Sequence, residues 1–130
     1  MKTVVEFLKK CGVYYLATTE GNKPKVRPFG TAMLYENHIY IQTGRKKDVA
    51  KQLFKNPNAE ICACMDGKWL RISGLLKADE RVEVKKAMLD EYPELRGMYN
   101  ENDDNTVVFY FERGIVTFYS FTDAPRTIVF

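Results

Sequence analysis

The sequence predicts a mainly β protein, a small antiparallel barrel with short helices set between its strands. Three observations predict it. Apolar runs rich in β-branched and aromatic residues recur along the chain, among them VYYLATT (13–19), HIYIQT (38–43), AEICACM (59–65) and KWLRISGLLKA (68–78). Turn-forming pairs separate them: Gly21-Asn22, Glu36-Asn37 and Asp66-Gly67, the last being the strongest hairpin dipeptide in the chain. Helical periodicity is confined to three short stretches. About seven strands at this even spacing favour a closed barrel over a sandwich, although spacing alone does not separate the two.

Length and composition set the frame. A chain of 130 residues predicts one domain spanning 1–130, large enough to bury about two-thirds of its unfolded surface. The formal net charge of +3 is too small to argue for nucleic acid, and the basic residues are interspersed with acids such as Glu36 and Asp48. No apolar run approaches the roughly 18 residues needed to span a membrane. The opening MKTVVEFLKK holds Glu6 and no continuous apolar stretch, so no secretory signal is expected. Cys11, Cys62 and Cys64 are odd in number and lack zinc-type spacing, which predicts no metal site and a reduced, cytoplasmic protein. On a strand, Cys62 and Cys64 would share one face, read here as core.

Taken in order, Thr3 and Glu6 have capping-box spacing, Val4, Val5, Phe7 and Leu8 give an apolar face, and Gly12 stops that helix. A strand over Val13–Thr19 turns back into a second over Lys25–Tyr35. Pro24 and Pro28 place parts of the latter at an edge or bulge. After the strand His38–Thr43, Gly44-Arg45-Lys46-Lys47 leads into a helix over Val49–Lys55, with Asp48 as its N-cap or first-turn acid and Asn56-Pro57 as its stop. Strands over Ala59–Met65 and Lys68–Ala78 form the Asp66-Gly67 hairpin, and Gly74 marks a bulge or a close approach. A helix over Glu80–Tyr92, a further turn at Glu94–Met98 and an acidic, mobile loop at Glu101–Asn105 follow. Two last strands, Thr106–Glu112 and Ile115–Phe121, are expected to turn at Arg113-Gly114, leaving TDAPRTIVF as a tail.

The residues that could do chemistry are few. The one histidine, His38, sits beside a turn and reads as solvated. Ser73 and Ser120 lack a nucleophile setting, Asp103 and Asp104 lie in the acidic loop, and no P-loop or G-x-G-x-x-G is present. No catalytic residue is assigned. What remains is cationic and aromatic: Arg27, Arg45, Lys46, Lys47, Trp69, Arg71, Phe118, Tyr119 and Phe121. A strand feeding a cationic loop at a helix N-terminus suits an anion, because free N–H groups and side-chain charges converge there. Cations with aromatics suit a ligand carrying a phosphate and a flat ring, such as FMN or pyridoxal phosphate.

The stretches YLATTEGNKPKVRPFG, IYIQTGRKKDVAKQLFKNPNAEICA and DGKWLRISG, with V-R-P-F-G and T-G-R-K-K…N-P as their most specific pieces, resemble the pyridoxamine 5′-phosphate oxidase-related, FMN-binding split-barrel proteins. The resemblance runs to the FYSFTDAPRTIVF end. It implies a six- to seven-stranded antiparallel split β-barrel (Greek key) and a homodimer with FMN at the subunit interface. It also implies a small flavin-dependent oxidoreductase of unknown substrate acting with a small-molecule electron donor or acceptor, or else a non-catalytic module that binds or senses FMN or another phosphorylated heterocycle. Carried over residue by residue, it places Arg27, Pro28 and Phe29 along the flavin, Gln42 and Thr43 beside the ribityl chain and phosphate, and Lys46 and Lys47 on the phosphate with Arg45 as a substitute. Trp69 falls near the flavin, and Phe118 and Tyr119 are suggested by their place on the final strand. The oxidases proper end in a basic R-L-x-P type tail that holds the pyridoxine substrate, and TDAPRTIVF departs from it, so oxidation of pyridoxamine phosphate is not expected.

Overall fold

The computed structural model describes residues 1–130. Its strands are β1 (Tyr14–Glu20), β2 (Lys23–Phe29), β3 (Met33–Tyr35), β4 (His38–Gly44), β5 (Asn58–Met65), β6 (Lys68–Asp79), β7 (Thr106–Ser120) and β8 (Arg126–Val129). The helices are α1 (Lys2–Cys11), α2 (Asp48–Lys55) and α3 (Val82–Glu91), with one 3-10 segment at Pro93–Gly97. No helix is long and apolar enough to cross a membrane.

All pairings are antiparallel, in the order β2-β1-β5-β6-β7-β4-β3, with β8 added to β7. That order has a geometric consequence. Laid flat, six inter-strand steps of about 4.8 Å would separate β2 from β3 by about 29 Å. The chain runs from the end of β2 to the start of β3 through Gly30–Ala32 alone, and four residue steps reach at most about 14 Å. The sheet must therefore curl until its ends approach. No hydrogen-bonded pairing joins β2 to β3, so the barrel stays split at that seam.

The register explains the core. Leu16, Ile61, Ile72 and Val116 are paired in one row across β1, β5, β6 and β7, and all four are fully buried. Helix α1 adds Val4, Val5 and Leu8 to this cluster, and α2 adds Val49, Ala50 and Leu53. Burying one such large side chain is worth about 1.5–3 kcal/mol, against about 0–1 for an exposed ion pair, so the rows of apolar residues hold the barrel.

Several expectations are corrected. Lys25–Tyr35 is two strands, because Gly30–Ala32 leaves the ladder at the seam. Thr3 lies inside α1, whose N-cap is Met1 without a side-chain cap bond. Cys62 and Cys64 are exposed, since in that strand the register turns Ala59, Ile61 and Ala63 inward instead. The acidic loop is held by Asp103, which accepts from the Asn100, Asn105 and Thr106 amides and the Thr106 hydroxyl. The two expected strands Thr106–Glu112 and Ile115–Phe121 are one, β7, which ends at Ser120 and has an irregularity in its register against β6 between Leu75 and Leu76. Its first half borders β4 and its second half borders β8, so the expected tail contains a strand, Arg126–Val129. Helix α2, the Asp66-Gly67 turn with both φ values positive, and the Gly12 stop at φ 75° are as expected.

Gly74 sits where two backbones meet, facing Gly114 across β6 and β7. A Cβ there would run into the Arg113 carbonyl oxygen and lie 2.9 Å from the Gly114 Cα. Backbone on both sides cannot yield as a flexible side chain would. Gly74→Ala should therefore lower stability by about 3 kcal/mol in urea unfolding, the upper end of ordinary overpacking. A neutral result would show that the two strands part more easily than their pairing implies.

Candidate functional site

Two clefts compete for the site, and charge decides between them. The larger, about 500 Å³, is lined by Tyr40 and His38 of β4, by Asp79 at the end of β6, and by Glu80 and Arg81 beyond it. Its charges satisfy one another except at Glu112, which makes no ion pair. Arg81 binds Asp79 at 2.9 Å and Glu36 at 2.6 Å, the Tyr40 hydroxyl donates to Asp79 at 2.8 Å, and Glu80 takes Arg45 at 2.7 Å and Lys85 at 3.4 Å. Hydrogen bonds from Arg81 hold the Asp79 carboxyl below the usual carboxylate range against its own burial, and burial raises the Tyr40 hydroxyl. Such a network locks β4 to β6 and leaves little free charge for a ligand.

The second cleft is a groove of about 380 Å³ at the split of the barrel. Arg27, Pro28 and Phe29 at the end of β2 form one wall, and Thr31, Gln42 and Thr43 lie across the seam. Lys47 and Val49 stand at the opening of α2, and Glu94, Leu95, Met98 and Tyr99 close the far side. The seam is fastened from three directions. Tyr14 donates to the Thr31 carbonyl at 2.5 Å, the Gln42 amide donates to the Thr31 hydroxyl at 3.0 Å, and the Tyr92 hydroxyl both accepts from and donates to the Ala32 backbone.

Arg27 is half-buried, yet every partner of its guanidinium is a neutral oxygen: the Leu16 carbonyl at 3.3 Å, the Thr18 hydroxyl at 2.7 Å and Gln52 Oε1 at 2.7 Å. Thr18 and Gln52 are themselves buried and bonded at 2.6 Å. Three bonds leave two of the five guanidinium N–H groups unspent. Burial pushes the Arg27 pKa down, and Asp48 in the first turn of α2 acts in the opposite sense. A cation desolvated without a bonded carboxylate is poised for an anion from outside, and Lys47, which makes no ion pair in the chain, lines the same groove.

The structure brings together Arg27, Pro28, Phe29, Gln42, Thr43 and Lys47. It places the other five elsewhere. Arg45 turns to Glu80 and lies 5.3 Å from the Phe54 ring centre, and Lys46 is exposed with its amide bonded to Asn105. Trp69, Phe118 and Tyr119 line a separate cleft of about 400 Å³ with Lys68 and Arg126. There Trp69 stacks on Tyr119 with ring centres 5.3 Å apart and planes 7° from parallel. Sequence reasoning missed the wall at Glu94–Tyr99. Leu95, Met98 and Tyr99 have the i, i+3, i+4 spacing of one helical face, but nothing local says what that face meets.

The fold and site thus define a class, the small split antiparallel barrel with a groove at its seam, here lined by Arg27, Lys47 and one acid, Glu94. The model of the family described as pyridoxamine 5′-phosphate oxidase matches residues 1–112, and the chain belongs to that family. It is similar to a NimC/NimA family protein from Clostridium acetobutylicum at 41% identity, covering 100% of this chain and 92% of that one, with a TM-score of 0.96. Two structures share the fold at low identity. One is a pyridoxamine 5′-phosphate oxidase-related, FMN-binding protein from Nostoc punctiforme, at 14% identity, covering 99% and 93% of the two chains, TM-score 0.66. The other is a heme-binding protein from Mycobacterium smegmatis, at 13% identity, covering 96% of this chain and 56% of that one, TM-score 0.76. No curated protein matches the sequence.

The Asp79 network makes a pH prediction. A carboxyl whose folded pKa is depressed contributes stability that is full above its unfolded pKa and is lost as the pH falls through the folded one. Asp79→Asn should thus cost about 1–2 kcal/mol at neutral pH, because Arg81 is half-exposed and its attraction is screened. The gap between variant and wild type should close as the pH drops below about 4, read by chemical denaturation across that range. A gap independent of pH would mean that the Asp79 charge contributes nothing.

Proposed function

We propose that the protein is an FMN-binding flavoprotein, a small flavin-dependent oxidoreductase that holds its cofactor in the groove at the split of the barrel. The observation that carries this is Arg27, half-buried with only neutral partners beside the unpaired Lys47. Family membership supports the same ligand.

The residues present fit the group. Arg27 bonds to Gln52 on α2, close to Lys47 and the first turn of that helix, so it is assigned to the phosphate with Lys47 and the free amides of α2. The polar side chains of Gln42 and Thr43 are assigned to the ribityl chain, and Pro28, Phe29, Leu95 and Met98 to the apolar body of the ligand. FMN would supply the electron or hydride chemistry, while the chain binds, orients and excludes water. The groove is at the small end of the usual 300–1,000 Å³ range and stays open, so a ring seated there needs a second surface.

A second copy of the chain is the proposed source of that surface. Tyr15, Cys62, Arg71, Thr117 and Thr127 share one outward row across β1, β5, β6, β7 and β8, and Trp69 with Tyr119 lies in the next. On the same side Val26, Ile115 and Val129 are exposed, as is Phe121 just beyond β7. Apolar area of this extent suits a homodimer. Three free cysteines are in keeping with a reducing cytoplasm.

Protein stripped of ligand should bind FMN at least about a hundredfold tighter than riboflavin, measured by quenching of flavin fluorescence. Equal affinities would remove the phosphate argument. Lys47→Glu should cost about 2–3 kcal/mol of FMN affinity and Lys46→Glu far less, because only Lys47 faces the groove. Sedimentation should give a dimer of the 15.1 kDa chain. Reduction by NADH or NADPH, then reoxidation by oxygen, quinones or nitro compounds, would establish turnover; failure of every pair would leave a binding module. Pyridoxamine phosphate should not be oxidised.

A further inference from the structure

We propose that Tyr99 is a ligand-binding residue of the groove, its hydroxyl donating a hydrogen bond to the phosphate of the bound cofactor. The inference rests on the FMN reading and adds a donor that neither the sequence motifs nor the cationic loop supplies.

Tyr99 is only 7% exposed and lines the groove, yet its hydroxyl has no hydrogen-bond partner in the chain. Tyr14, Tyr40 and Tyr92 each spend theirs internally, on the Thr31 carbonyl, Asp79 and the Ala32 backbone. No fully enclosed side-chain polar atom lacks a partner. The Tyr99 oxygen is therefore reached by solvent, and because the residue lines the groove, a ligand atom there can replace that water.

Its place there is fixed. The Tyr99 amide donates to the Leu95 carbonyl at 2.9 Å, and Tyr92 ties the start of this segment to the seam at Ala32. The hydroxyl lies over Gly44, where an added Cβ would stand 3.0 Å from it. Gly44 opens the turn that leads to Lys47, whose amide donates back to the Gly44 carbonyl at 3.0 Å. Glycine at 44 thus leaves room for a phenol beside the turn that carries the phosphate cation. A phenol O–H meeting a phosphate oxygen is a charge-assisted bond, and its position is set before the ligand arrives.

The test is Tyr99→Phe in the full chain, with Kd measured for FMN and for riboflavin and with the thermal unfolding midpoint of the stripped protein. FMN binding should weaken about tenfold or more while riboflavin binding holds. The midpoint should not fall, because no internal bond is lost. Gly44→Ala, which crowds the hydroxyl, should erode FMN affinity in the same selective way. If wild type prefers FMN and Tyr99→Phe keeps that preference in full, the inference is overturned while the phosphate site at Arg27 and Lys47 stands. A lower midpoint with both flavins weakened alike would make the hydroxyl structural and also overturn it. If wild type itself binds the two flavins equally, the phosphate reading fails, and the role of Tyr99 fails with it.

Discussion

The three residues Gly30–Ala32 join the two ends of a seven-strand path, and the rest of the structure depends on that short connection. A flat sheet would put those ends about twice as far apart as the link can reach. Curling the sheet brings β1, β5, β6 and β7 round a common interior, which is why Leu16, Ile61, Ile72 and Val116 become one buried row. The link does not itself pair, so the seam remains open. Backbone groups that would have joined a ladder are met by Tyr14, Tyr92 and the Thr31 hydroxyl. A groove at that seam is thus a product of closure.

Charge then distinguishes the groove proposed as the ligand site from the cleft around Asp79. Around Asp79 the acids and bases are matched at hydrogen-bond distance, and the network fixes β4 against β6. At the seam the matching is incomplete: Arg27 is bonded to neutral oxygens and Lys47 to no acid. Leaving a half-buried cation without a counter-charge costs stability, and a bound anion offsets that cost. The volumes alone, about 500 and 380 Å³, favour the Asp79 cleft, whereas charge favours the groove proposed here as the site.

Trp69 and Tyr119, with Phe121 packed on Trp69, lie apart from the groove in one protomer, and the cleft that Trp69 and Tyr119 line shares no residue with the seam. In the homodimer proposed here, the outward face that carries them is buried against a second copy. The same association would cover the open side of the groove. Ligand binding and assembly would then be coupled, each stabilising the other by mass action.

Much of this was legible in the residues. The β class, the hairpin at Asp66-Gly67, helix α2 behind a cationic turn and the closeness forced at Gly74 follow from local chemistry: φ preferences, period-2 patterning and missing N–H donors. VRPFG and QTGRKK pointed to Arg27, Gln42, Thr43 and Lys47 through their resemblance to the family, and the structure gathers these four in one groove. The tertiary structure decided what local chemistry leaves equal. Either face of AEICACM could have turned inward, and the pairing of Ile61 with Leu16 and Ile72 sent the cysteines out. The chain could turn at Arg113-Gly114 or run on, and partners on both sides of β7 made it run on. Of three adjacent cations, only Lys47 faces the seam, because Glu80 drew Arg45 away and Asn105 holds the Lys46 backbone. Tyr99 comes to lie over Gly44 from 55 residues further along the chain. A contact of that range depends on how the barrel closes, and no local preference encodes it.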